Sequence, residues 1–173
     1  ADMEQVTYFG RGPEENYCDR NNGTLVGEYR STAEQMYYPY VRPQENGHHT
    51  DTRWLTLKQK NGKGLAVYAD GTMEFNSLRN SVEDFDGEEA TNRDYQWNNR
   101  DAEELKHDIR TAKDIKPRQT HINDITPRDF VEVCLDMRQM GVGGFDSWGS
   151  IPDPQYLIPA NKEYRWGFTL VPM

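Results

Sequence analysis

The chain has 173 residues, 35% of them hydrophobic and 12% aromatic, which suits one lean domain with a large polar surface. With 20 basic against 29 acidic residues the formal charge is −9, which argues against a nucleic-acid partner, because that affinity comes largely from Lys and Arg displacing counterions. No run of about 18 apolar residues offers a membrane span, and residues 1–10 lack the basic and apolar regions of a signal peptide, so the chain reads as soluble, with no membrane partner.

In chain order, the first expected element is a strand over Val6-Thr7-Tyr8-Phe9. It begins almost at once after Ala1, which is not a methionine, and the chain is therefore expected to be an excised fragment. Gly10-Arg11-Gly12-Pro13-Glu14-Glu15-Asn16-Tyr17 has the look of a phosphate loop, but Pro13 and the polar residues after it do not open a helix whose amides could hold phosphate. A scaffold reading fits better: the glycines turn the chain after the strand, Pro13 stiffens the turn, and Glu15 and Asn16 bond to nearby backbone. Cys18 and Cys134 form neither a disulfide framework nor a CxxC pair and are expected as thiols.

The densest polar run is Pro43-Gln44-Glu45-Asn46-Gly47-His48-His49-Thr50-Asp51-Thr52-Arg53. His48, His49 and Asp51 are metal-ligand types, yet adjacent histidines on a strand point to opposite faces, so at most one could join Asp51. Two other readings stay open: a turn at Asn46-Gly47 with Arg53 pairing a carboxylate such as Glu45, or a ligand cleft faced by Glu45, Asn46 and Arg53. Residues 53–76 predict a three-stranded meander split at Asn61-Gly62 and Asp70-Gly71. Residues 79–129 are charged and aperiodic, predicting surface connections and one short helix capped by Asp101, with Glu104 three residues on. Strict alternation predicts strands over 130–137 and 164–171. These short strands with polar turns predict an all-β, antiparallel β-sandwich rather than a βαβ fold.

The most suggestive piece is Gly141-Val142-Gly143-Gly144-Phe145-Asp146-Ser147-Trp148-Gly149, where a glycine run follows a firm strand. An indole exposed there can stack on a sugar ring while Asp146 and Ser147 bond a hydroxyl or the loop itself; equally, Trp148 can be core, where Trp usually resides. No pair of carboxyl groups is marked as a glycosidase acid and base, and Ser147 lacks the spacing of a nucleophile elbow. No catalytic residue, metal ligand or cofactor is assigned.

Four phrases taken together resemble the C-terminal sandwich domain of large β-galactosidases of glycoside hydrolase family 2. They are Tyr8 to Tyr17 with Asp19-Arg20; Tyr38-Pro39-Tyr40-Val41 running into Pro43-Gln44-Glu45-Asn46-Gly47; Thr52-Arg53-Trp54; and Gln139-Met140 followed by the glycine loop through Gly149. Residues 154–172 resemble that family's last strands. The resemblance implies the C-terminal part of a galactose-mutarotase-like supersandwich, covering residues 1–173, with the catalytic barrel upstream and no activity in the fragment itself. It places Trp148 at the mouth of the active site, stacking on the aglycone sugar, with Asp146 and Ser147 holding the loop. Glu45, Asn46 and Arg53 then brace the fold. Departures stand at Phe145, where a second acidic residue is common, at His49, where Arg is frequent, and across 79–129.

The implied partners are a galactoside substrate in the full-length enzyme and the upstream domains of the same chain; because strands of the family's domain before Tyr8 are missing, the chain either pairs with a second copy of itself, which is the expectation, or folds as a smaller unit. The implied compartment is bacterial cytoplasm or periplasm. Two other readings compete: a free-standing carbohydrate-binding module using Trp148 and Trp97, and a mutarotase-type epimerase using His48 or His49 with Glu45.

Overall fold

The computed structural model describes residues 3–40, 46–82, 84–85, 122–145 and 149–173. The short helix expected at Asp101, and Trp97, Glu45, Asp146, Ser147 and Trp148, lie outside these described residues. The chain divides into two compact units, one of residues 1–38, 46–80 and 127–173, the other of residues 39–45 and 81–126. No helix among the described residues is long and apolar enough to cross a membrane.

The first unit is all-β and antiparallel, as expected for a layer of a β-sandwich. Six strands form one sheet: β1 (Gln5–Gly12), β2 (Leu25–Thr32), β3 (His49–Lys58), β4 (Gly64–Leu78), β5 (Glu132–Asp136) and β6 (Phe168–Pro172). The order is β2-β1-β3-β4-β5, and β6 also pairs with β4. On β1 the period-two pattern buries Val6 and Tyr8, whose register partners on β3 are Leu57 and Leu55; Val67 of β4 faces Leu55 in turn. Burying such a side chain contributes about 1.5–3 kcal/mol, so this row, with Met73 and Phe75, dominates the stability of the sheet.

Several expectations change on contact with the fold. Gly10 and Gly12 do not turn the chain; both lie inside β1. A Cβ on Gly12 would meet the Tyr8 hydroxyl and come within 2.9 Å of the Tyr29 ring, so the position is kept bare by close approach. Asn61-Gly62 is a hairpin turn between β3 and β4, but Asp70-Gly71 is not. Between the pairs Thr52↔Met73 and Trp54↔Tyr68, β3 advances two residues while β4 advances five, so three surplus residues bulge from β4 around Gly71, at φ 98°. The meander thus has two strands rather than three. A smaller irregularity on β3 holds Asp51 at φ 53°.

β4 serves two partners along one edge: Leu65–Ala69 pair with β6 and Glu74–Leu78 with β5. β6 starts at Phe168 rather than 164 because its ladder ends at Ala69, where the β4 bulge begins. β5 is shorter than expected by two residues at its start and one at its end, and is half-buried throughout. β2 had no counterpart in the sequence reading: it is a sheet-edge strand carrying Glu28 and Arg30, with no apolar alternation to announce it. Cys18 and Cys134 form no disulfide. In the second unit, Ser81 N donates to Asp84 Oδ2 (3.0 Å) and Asp84 N donates to Ser81 O (3.0 Å) in a turn next to the buried Phe85.

Candidate functional site

The polar residues after β1 build a buried scaffold beside the glycine loop. Asn16 is fully buried and saturated: its backbone N donates to His48 O (2.8 Å), its side-chain amide to the carbonyls of Arg11 (3.2 Å) and Glu14 (3.0 Å). Its Oδ1 accepts from Thr50 N (3.1 Å) and Thr50 Oγ1 (2.6 Å). Glu15 accepts from Gly47 N (2.8 Å) and pairs with Arg20, whose guanidinium lies over the rings of Tyr17 and Tyr38. Asn46 bridges Tyr38, accepting from its N and donating to its O, both at 2.6 Å. The expected bonding to nearby backbone is made by Asn16, to Arg11 and Glu14, whereas Glu15 reaches across 32 residues to Gly47 and Asn16 also across 34 to Thr50.

His48 and His49 are both buried, at 0% and 2% exposure, and point apart. His48 stacks on Tyr17, with Nε2 2.9 Å from Glu74 Oε2. His49 stacks on Phe75 and lies against Tyr8, with Nδ1 3.2 Å from Arg11 O and 3.3 Å from the Tyr8 hydroxyl. Since a carbonyl only accepts, Nδ1 carries the proton and donates to Arg11 O, while the Tyr8 hydroxyl donates to Pro13 O (3.3 Å). Burial holds the His49 imidazole down to about 4 from 6.5, opposed by the Arg11 bond and reinforced by His48. Burial likewise pushes the Tyr8 phenol up, with the charges of Tyr29 and Glu14 adding to it. Sealed imidazoles cannot reach a sugar, so neither histidine is placed for anomer exchange. Asp51 pairs with Arg11 (2.5 Å) and not with a histidine, and Arg53 donates to the Asp51 carbonyl and lies over Phe9.

This scaffold grips the loop. Glu74 Oε2 also accepts from Gln139 N (2.6 Å), and the Cys18 thiol donates to Gln139 O (3.7 Å). Burial pushes that thiol up, opposed by Arg138. Asp19 accepts from Val142 N at one oxygen (3.1 Å) and from Gly143 N at the other (2.8 Å). Gly141 N donates to Tyr156 O (2.9 Å), and Gly144 N closes the loop on Ser150 O (3.2 Å). Gly143 and Gly144 take φ 62° and 80°, left-handed conformations that glycine adopts without strain. Phe145 stands 71% exposed just before it. Nothing local in the sequence marks Asp19 for this role, because its partners lie more than 120 residues away.

Replacing Asp19 with Ala is expected to cost about 1–3 kcal/mol in urea unfolding, as two amides lose their acceptor. Hydrogen exchange at Val142 and Gly143 should accelerate more than exchange in β1. Unchanged exchange at those two amides would show that the carboxylate does not hold the loop.

Comparison with known proteins fits this geometry. The family model described as beta galactosidase small chain matches residues 1–170. The chain belongs to the β-galactosidase small-chain family. Among curated relatives, a β-galactosidase of Priestia megaterium is 31% identical over 173 residues, covering 100% of this chain and 14% of that protein. One from Streptococcus thermophilus is 30% identical over 174 residues, again covering 100% of this chain and 14% of the relative. One from Vibrio cholerae is 30% identical over 165 residues, 95% of this chain and 12% of the relative. The chain thus spans about one seventh of the length of these curated relatives, as a segment of a larger enzyme would.

Proposed function

We propose that the chain is a noncatalytic domain of a family 2 β-galactosidase, in which the whole enzyme hydrolyses terminal β-D-galactosides. In this reading Trp148 supplies an aromatic wall to the aglycone side of the active site, Asp146 and Ser147 hold its loop, and the acid and nucleophile come from other domains of the same chain. The observation that carries it is the match across nearly the whole chain to a segment of β-galactosidases many times longer. The anchoring of 139–144 by Glu74, Cys18 and Asp19 supports it, because a stacking platform needs a fixed base.

The test compares hydrolysis of a chromogenic galactoside by this chain and by the full-length enzyme. The chain alone is expected to be inactive. In the full-length enzyme, Trp148→Ala should lower kcat/KM for lactose about 3- to 10-fold, the worth of one aromatic stack, with little effect on galactosides carrying a small aglycone. Hydrolysis by the chain alone would place the chemistry here and sink the reading.

A further inference from the structure

The face of the sheet opposite the Val6, Tyr8 and Leu55 row is not uniformly polar. Phe9, Trp54 and Tyr68 are successive register partners across β1, β3 and β4, forming one aromatic row on that face. Phe9 and Trp54 stack, with centroids 6.3 Å apart and planes at 25°. Tyr68, at the far end, is 49% exposed. The next row along the strands is Arg30, Thr7 and Thr56, and beyond it lie Gln5 and Lys58. Trp54, Tyr68 and these polar side chains line a groove of about 650 Å³, within the range of about 300–1,000 Å³ that small-molecule sites occupy.

From this juxtaposition we propose that the groove is a carbohydrate-binding site for a neutral β-linked di- or oligosaccharide, separate from the Trp148 loop. Trp54 and Tyr68 are register partners on strands about 4.8 Å apart, so two aromatic side chains on one face offer a platform on which pyranose faces can stack. The rest of the lining supplies the Thr7 and Thr56 hydroxyls, the Arg30 guanidinium, the Gln5 amide and the Glu28 carboxylate, donors and acceptors of the kind that sugar hydroxyls engage. The charged lining is mixed, Arg30 and Lys58 with Glu28, and the Arg30 guanidinium lies 3.4 Å from Glu28, so the groove is not a concentrated cationic cradle for an anion. An added peptide strand would seek an unpaired sheet edge rather than this face. Among the described residues, the groove is lined by β1, β2, β3 and β4 and by none of 138–145, 149 or 150.

The probe is lactose, titrated into the chain while the tryptophan indole N–H signals are followed by NMR. The Trp54 indole is expected to shift and saturate in the millimolar range, with nuclear Overhauser contacts from the sugar C–H protons to its ring. Tyr68→Ala, at a half-exposed position, should weaken binding about fivefold, the worth of a lost stack, and Trp148→Ala should leave it unchanged. A Trp54 signal unmoved by both lactose and cellobiose overturns the proposal. So does undiminished binding in Tyr68→Ala, or a shift abolished by Trp148→Ala, which would put the sugar at the loop instead.

Discussion

Asn16→Ala is expected to lower the unfolding free energy by about 3–5 kcal/mol, among the largest effects of any single polar substitution in the chain. The side chain is fully buried and makes four side-chain hydrogen bonds, to Arg11 O, Glu14 O, Thr50 N and Thr50 Oγ1. Truncation leaves those groups without this partner in a place water does not reach, and each such group costs about 1–3 kcal/mol when unsatisfied, less what local relaxation recovers. Asn16→Asp should be nearly as harmful, since it sets a carboxylate oxygen against the two carbonyls that now accept an amide. Urea unfolding followed by far-ultraviolet circular dichroism reads both. A loss below about 1 kcal/mol for Asn16→Ala would show that the network is not what joins β1 to β3 beyond Phe9.

Acid should destabilise the chain well before its carboxylates protonate. His49 is neutral in the fold, with its proton affinity held down to about 4 from an ordinary 6.5. The unfolded chain therefore takes up a proton that the folded chain refuses, and stability falls as pH drops through the window from 6.5 to about 4. Above the upper limit this contribution is fully present; at the lower limit it has gone. The difference amounts to about 3 kcal/mol at most, since each pKa unit is worth about 1.4 kcal/mol. His49→Phe keeps a ring against Tyr8 and Phe75 but removes the titration, so its stability curve should be flatter over the same window. Parallel curves for wild type and variant would mean that the His49 environment does not drive the acid response.

Much of the sheet was legible because its signals are local. Alternation at Val6 to Phe9 and at Glu132 to Asp136, and the Asn61-Gly62 turn, depend on a few neighbouring residues. Asp70-Gly71 misled for a physical reason: a positive-φ glycine serves a hairpin or a bulge equally well, and the choice is made by the partner strand. Gly12 misled similarly, because the Tyr8 hydroxyl and Tyr29 ring that exclude a side chain arrive from register, not from adjacent sequence. In the candidate site the glycine run of the loop was readable, but Asp19 was not, because a carboxylate gripping two distant amides leaves no periodic trace. Trp148, proposed to meet substrate, and Asp146 and Ser147, proposed to hold its loop, lie outside the described residues, and their roles rest on the family resemblance.

The surplus residues of β4 also bear on how such a sheet can change over evolution. A strand in perfect register behaves as one reading frame, and an inserted or deleted residue turns every later side chain to the wrong face. Here the frame is already interrupted between Tyr68 and Met73. Leu65–Ala69 answer to β6 and Glu74–Leu78 answer to β5, each with its own phase. Length changes within 70–72 can be absorbed at the joint, so the half paired with β6 and the half paired with β5 are free to drift separately. One polypeptide segment thereby carries two independently editable modules.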